Sequence, residues 1–224
     1  MQKVSSPLSL GAKIENLSNQ LDWNCRESAL KIGSSILVHL ASDRSLLRDL
    51  VENLTNDTEL FLLCEKYDFF DKLILYKDPA DRFKIRLSIF SPFVSNRPHF
   101  HRWSYVAMIL KGNYLHSVFC NESALIDALP ESLQSIHMYE VTENSPYYIH
   151  HSCVHAVKAK SGTVSLLLQG PPQKERFLVV DQKIKRKWWE YGSQQETTDE
   201  KQRKQISQDR LLYLIDLLKN EKII

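Results

Sequence analysis

Four cysteines are all that this chain of 224 residues contains, and Cys25, Cys64, Cys120 and Cys153 form no CxxC pair. A scaffold held by disulfides is not expected. The spacing reads as reduced thiols in a cytoplasmic protein. No charge of one sign dominates: 29 Lys and Arg stand against 27 Asp and Glu, a net charge of +2. That leaves no clustered excess for a nucleic-acid partner, and no helix pair with basic residues suggests a DNA reader. Long apolar runs are missing too; none approaches the roughly 18 residues that a bilayer span requires. Met1 to Lys13 has no apolar core and does not read as a signal peptide. There is no internal repeat.

What is present falls into three segments. Residues 1–69 read as a helical segment that packs on a β body. Its first 25 or so are polar. Ser28 to Ala41 has helical apolar spacing interrupted by Gly33. Ser42 or Asp43 can cap a second helix with Leu46, Leu47, Leu50, Val51 and Leu54 in a stripe, and Asp57 a third over Thr58 to Tyr67. From Phe70 the apolar period becomes two. Phe83 to Phe90 alternates cleanly, with Ile85, Leu87 and Ile89 on one face and Lys84, Arg86 and Ser88 on the other. Ser91 to Asn96 reads as a loop. About nine short strands separated by turn signals suit a closed barrel or jelly roll over residues 70–192. Trp188 to Gly192 reads as an aromatic clasp on that barrel. Residues 193–224 read as a polar linker followed by an amphipathic helix, Gln208 to Lys219, expected to dock on its own domain.

Chemistry concentrates around Arg97-Pro98-His99-Phe100-His101-Arg102-Trp103. Two histidines one residue apart on an extended strand point to the same face, and two imidazoles on one face can share a transition-metal ion. The run Val106 to Leu110 ends in the hairpin signal Lys111-Gly112-Asn113. A second strand, Tyr147 to Ile149, leads through a turn to His155.

This pattern resembles the cupins. Their first motif is His-x-His, a glutamate and a hairpin glycine, and their second is a strand and tight turn ending in one more histidine. His99, His101 and Gly112 match the first motif, and His155 matches the second. The glutamate's place falls on Tyr105 or Val106. The resemblance covers about Leu73 to Val180. It implies a mainly β, cupin-type jelly-roll barrel with N-terminal helices and a C-terminal helix, holding one divalent transition metal on His99, His101 and His155. Iron(II) is the expected ion, with zinc(II) and nickel(II) as alternatives. The three-histidine type is similar to the cysteine dioxygenases in the intervals Phe83 to His99 and His101 to His155. The finer residues depart: that family's substrate-binding arginine falls on Leu73. Its catalytic serine, histidine and tyrosine fall on Leu168, Gly170 and Pro172.

The expected function is therefore a mononuclear metal enzyme, an iron(II) oxygenase of thiol-dioxygenase type using dioxygen on a small amino-acid-like substrate. A zinc enzyme without redox chemistry and a ligand-binding cupin are the alternatives. Tyr105, inward by strand parity, is a candidate proton donor or a buried tyrosine. His116, across the hairpin, is a fourth ligand, a proton shuttle or a wall residue. Trp103 also points inward, as a substrate contact. Arg86 suits a substrate carboxylate if it faces inward, and otherwise is solvated. Cys153 reads as a small buried side chain, and Arg97 and Arg102 as strand-fixing ion pairs. His150 and His151 read as neighbours of the site or exposed. A monomer or homodimer without membrane attachment is expected.

Overall fold

Helices open the chain: α1 (Ala12–Ser18), α2 (Arg26–Ser42), α3 (Arg44–Glu52) and the single turn α4 (Thr58–Phe61). A computed structural model describes residues 9–91, 97–192 and 195–224. Positions 92–96 of the expected loop and 193–194 of the expected linker lie outside them, as do 1–8. Asp43 and Asp57 cap α3 and α4 by accepting from the backbone N–H of Leu46 and Leu60, each at 3.0 Å. Capping of this kind satisfies donors that a helix start leaves open. The third helix is shorter than its apolar stripe suggests, because the chain turns at Leu62 into β1 (Glu65–Lys66).

The remaining strands are β2 (Phe70–Lys77), β3 (Lys84–Phe90), β4 (Tyr105–Lys111), β5 (Tyr114–Asn121), β6 (His137–Val141), β7 (Tyr147–Ile149), β8 (Cys153–Ala159), β9 (Val164–Gln169), β10 (Arg176–Asp181) and β11 (Arg186–Tyr191). The short α5 (Glu122–Asp127) follows β5, and α6 (Thr198–Lys204) and α7 (Gln208–Asn220) follow β11. Six strands pair in the order β1-β2-β3-β9-β4-β7, three as β6-β5-β8, and β10 pairs with β11. Every one of these pairings is antiparallel.

The six-stranded sheet has two unlike faces. Ile85, Leu87, Ile89, Val106, Met108, Leu166 and Leu168 pack against α2, α3 and α7 in one large core. On the opposite parity, Ile109 meets Tyr114, Val141 and Tyr139 of the three-stranded sheet, and Tyr105, Ala107 and Leu167 meet Cys153 at the start of its strand β8. These two inner faces enclose the interior. Among the described residues the ladders do not close into one ring: isolated bridges, His99 with His155 and with Val179, join the smaller sheets. The expected barrel is thus a jelly-roll-like pair of facing sheets, its continuity broken at Pro98, which has no N–H to give to a ladder.

The helix expected over Ser28 to Ala41 forms in spite of Gly33, whereas the polar linker departs from the sequence reading, and both outcomes have local causes. Gly33 sits in mid-α2 because the helix runs hard against β4; a Cβ there would lie 2.7 Å from Val106 Cγ2. Within the polar stretch after Tyr191, Thr198–Lys204 is helical. Thr197 and Glu200 form a reciprocal capping box that starts it.

The carboxylate of Asp71, 1% exposed, holds α7 through Arg210, whose Nη2 donates at 2.6 Å. Arg210→Met leaves that charge unpaired under a helix whose apolar face is in the core. A partner lost from a buried pair costs about 3–5 kcal/mol; with the guanidinium 34% exposed, about 2 kcal/mol is expected after screening. Urea unfolding checks it through a lower midpoint at unchanged m-value, and a loss below about 0.5 kcal/mol contradicts it.

Candidate metal centre

One backbone pair brings the two distant motifs together. His99 N–H donates to the His155 carbonyl and His155 N–H to that of His99, both at 2.9 Å. Residues paired in this way on an antiparallel ladder project their side chains from the same face. His101 lies two residues further along and donates its N–H to the His151 carbonyl at 3.2 Å. The ring centroids stand 4.7 Å (His99 to His101), 4.8 Å (His99 to His155) and 4.9 Å (His101 to His155) apart. One ligand nitrogen from each ring lies within 4.8 Å of the others. The three rings predicted from sequence are thus grouped closely enough to hold one metal ion.

The neighbours decide which nitrogens are free. His99 Nδ1 lies 2.8 Å from the Arg97 carbonyl. A carbonyl only accepts, so Nδ1 carries the proton and Nε2 keeps a lone pair. His155 Nδ1 lies 2.7 Å from His116 Nε2, and His116 Nδ1 lies 2.9 Å from the Tyr139 hydroxyl. His101 stacks on Trp103 at 4.7 Å and meets the Tyr105 ring edge-on at 5.1 Å. Its Nε2 lies 2.7 Å from His155 Nε2. Burial is the largest cause that lowers all four imidazole pKa values. His99 falls below the usual histidine range, His101 and His155 well below it, and His116 to about 4. Neutral imidazole is the form that binds metal. The donor set, the outer hydrogen bonds and the protonation state all fit a mononuclear ion.

The other candidates divide. Tyr105 is 3% exposed, and its hydroxyl lies 3.5 Å from His155 Nε2. Burial and the Tyr147 phenol hold its pKa well above the ordinary value, so it keeps its proton. Trp103 lies between His101 and Arg86, whose guanidinium carbon is 5.2 Å from the indole. Arg86 faces inward from β3. Its Nε and the Ser88 hydroxyl, on the same strand face, are buried without hydrogen-bond partners. His116 is fully buried and touches His155, not the common centre of the three rings. Arg97 pairs with Asp181 at 2.9 Å. Arg102 donates to the Lys174 carbonyl at 3.0 Å. Cys153 lies outside the cluster with its thiol pKa raised by burial. Sequence reasoning missed Tyr139 and Tyr147. Each comes near the centre through strand pairing, and no motif marks either one.

No family model matches the chain, and no curated protein does. Solved structures align over about half of it. An RmlC-like cupin from Shewanella frigidimarina is 12% identical over 50% of this chain and 85% of its own, with a TM-score of 0.36. KdgF from Halomonas sp. is 11% identical over 48% and 86%, at 0.36. DMSP lyase DddQ from Ruegeria pomeroyi is 11% identical over 49% and 51%, at 0.37. The chain thus spans about half the length of that lyase. With facing antiparallel sheets and inward histidines from two separated motifs, the fold is cupin-like.

Two outcomes follow from the His155–His116–Tyr139 chain. Each imidazole is more easily protonated unfolded than folded, so the unfolded state binds more protons below about 6.5. Metal-free protein should lose stability as pH falls from there towards the His116 value of about 4. Melting scans at pH 7, 6 and 5 check this, and a Tm that is flat or rises on acidification contradicts it. Partners of this kind are worth about 10–100-fold in metal affinity. His116→Leu should weaken zinc binding by that factor in a chelator competition, with His116→Gln recovering part of it.

Proposed function

We propose that this protein is a mononuclear metal-dependent enzyme of the cupin type, acting on a small carboxylate-bearing, amino-acid-like molecule. The observation that carries this reading is the convergence of His99, His101 and His155, each neutral, on one point of a mostly enclosed interior. His99 and His155 are set there by fixed outer hydrogen bonds. Iron(II) held there would supply the electron-transfer chemistry of an oxygenase, whereas zinc(II) would supply Lewis acidity alone. The ungapped spacing shared with three-histidine cysteine dioxygenases favours iron.

The chain's own residues supply the rest. Arg86 offers a buried cation, turned inward and one indole away from His101. A carboxylate there would satisfy its unpartnered Nε by a charge-assisted bond. Trp103, stacked on both, fixes the separation between that anchor and the imidazoles. Tyr105 stays protonated and donates to an atom held beside His155. The facing sheets enclose most of the site, which strengthens each of these contacts.

Elemental analysis of protein purified without added metal tests the reading, with about one ion expected per chain and loss of it in His101→Ala. An oxygen electrode with a panel of amino acids and thiols then separates the chemistries. Zinc at that stoichiometry without oxygen uptake would replace the oxygenase by the Lewis-acid enzyme. Arg86→Met is expected to raise KM for any carboxylate turned over by about 10-fold or more at unchanged metal content. Equal turnover of an acid and its methyl ester would remove Arg86 from the site.

A further inference from the structure

A second concave site lies on the other side of the central sheet. It is a cavity of about 280 Å³ between the start of α2, the turn before β8 and the segment after β9. Strand parity separates it from the histidine cluster. Tyr147 and Ile149 point into the interior, whereas Tyr148 between them packs on the helical side. Arg26, Ser104, Tyr148, His150, His151 and Gln173 reach its walls. No aspartate or glutamate lines it among the described residues.

Several of its polar groups are donors, and the Asn24 and Gln173 amides can turn either way. The Tyr148 hydroxyl is buried and has no partner. His150 Nδ1 accepts from the Ser152 N–H at 3.3 Å and from the Ser152 hydroxyl at 2.7 Å, which leaves Nε2–H as its free ring donor. The Ser104 hydroxyl already accepts from the His151 N–H at 3.1 Å, so its own hydrogen can go to His151 Nδ1, 3.3 Å away. His151 is then also left with Nε2–H. The two ring centroids lie 4.0 Å apart at a 35° tilt. Lys174, close by, is neutralised by Glu122. Arg26 makes no ion pair among the described residues and stands at the first turn of α2, whose N-cap Cys25 supplies no side-chain cap.

We propose that this cavity binds a small oxyanion, the carboxylate or phosphate group of a metabolite, at a site separate from the metal centre. An acceptor-only ligand answers every feature. It gives the Tyr148 hydroxyl a partner, takes both imidazole N–H groups, and meets the Arg26 charge. A cationic ligand would face the Arg26 charge and both imidazole N–H groups.

Titration of inorganic phosphate and, separately, acetate into the full chain tests this, followed by heat and by the ring resonances of His150 and His151. Saturation at one anion per chain with shifts in those rings is expected. Phosphate alone saturating assigns a phosphoryl group, acetate alone a carboxylate, and both the shared chemistry. Arg26→Met should weaken binding at least about 10-fold and the near-isosteric Tyr148→Phe about 2–10-fold, the range of one neutral hydrogen bond. Arg86→Met and His99→Ala, on the other face, should change it less than twofold. No saturable shift of the two rings with either anion overturns the proposal, as does binding that responds to Arg86→Met and not to Arg26→Met.

Discussion

Everything about the metal centre depends on a single rung of backbone hydrogen bonds. His99 and His155 exchange both of theirs at 2.9 Å, and the rung is nearly isolated. On one side Pro98 accepts from Val180 N–H but has no N–H to return; on the other His101 bonds to His151 in the turn before β8. The segment from Arg97 to His101 thus works as a strand inserted between β8 and β10, though it is too short and too interrupted to form a ladder. Alternation along that extended backbone sends His99 and His101 inward and Phe100 outward. There Phe100 meets Phe119, Val154 and Leu178 in a separate apolar cluster. Phe100 is fully buried, and its burial anchors the two imidazoles from behind.

Arg86 imposes a second constraint, an electrostatic one. The Arg86 guanidinium gives up hydration with no ion pair of its own, since the nearby Glu65 carboxylate is paired with Lys72, and its Nε has no partner at all. The Trp103 face offsets part of this through a cation–π contact, worth about 2 kcal/mol when desolvated. The remainder is a standing cost of burying an unpaired charge. An anion bound beside Arg86 removes that cost, so part of the binding energy comes from relief of strain already present in the free protein. The same cation helps hold His99 and His101 neutral. Burial remains the larger cause, and Arg86 adds to it.

How much of this was legible in the sequence follows from how local each feature is. His99 and His101 could be read because a spacing of two on an extended chain fixes their relative direction, and His155 because a strand and turn of recognisable form precede it. The inward direction of Trp103 and Tyr105 came from the same parity. Arg86 could be read only as an alternative, since either face of β3 could have been the inner one. The helical core settles this by burying Ile85, Leu87 and Ile89. Tyr139 was out of reach. It approaches His116 because β5 and β6 pair in the register His116 with Tyr139, and a one-residue slip would turn it away. The outer cavity was hidden for a similar reason: its walls come from positions near 25, 104, 150 and 172, joined only by tertiary packing. The helix α6 was legible and was outweighed, because the Thr197–Glu200 capping signature sits in a stretch with almost no apolar residues.

The three imidazoles are held by different means, and the difference has a consequence for protons. His99 is locked by a carbonyl, so its Nε2 lone pair is always available. His101 and His155 approach through their Nε2 atoms at 2.7 Å, and one of the two must carry a hydrogen there when no ion is present. If it is His101, an arriving ion obliges that ring to move its proton to Nδ1, where no protein partner waits among the described residues. If it is His155, the proton must move to its own Nδ1, and His116 Nε2, until then a donor, must become an acceptor. Tyr139 then changes from donor to acceptor in turn. In both cases an ion substitutes for a proton between two rings, while the charge on each ring stays zero. The charge that enters the buried interior is therefore the ion's own, and the three imidazole lone pairs must offset the cost of desolvating it, since none of the rings changes charge.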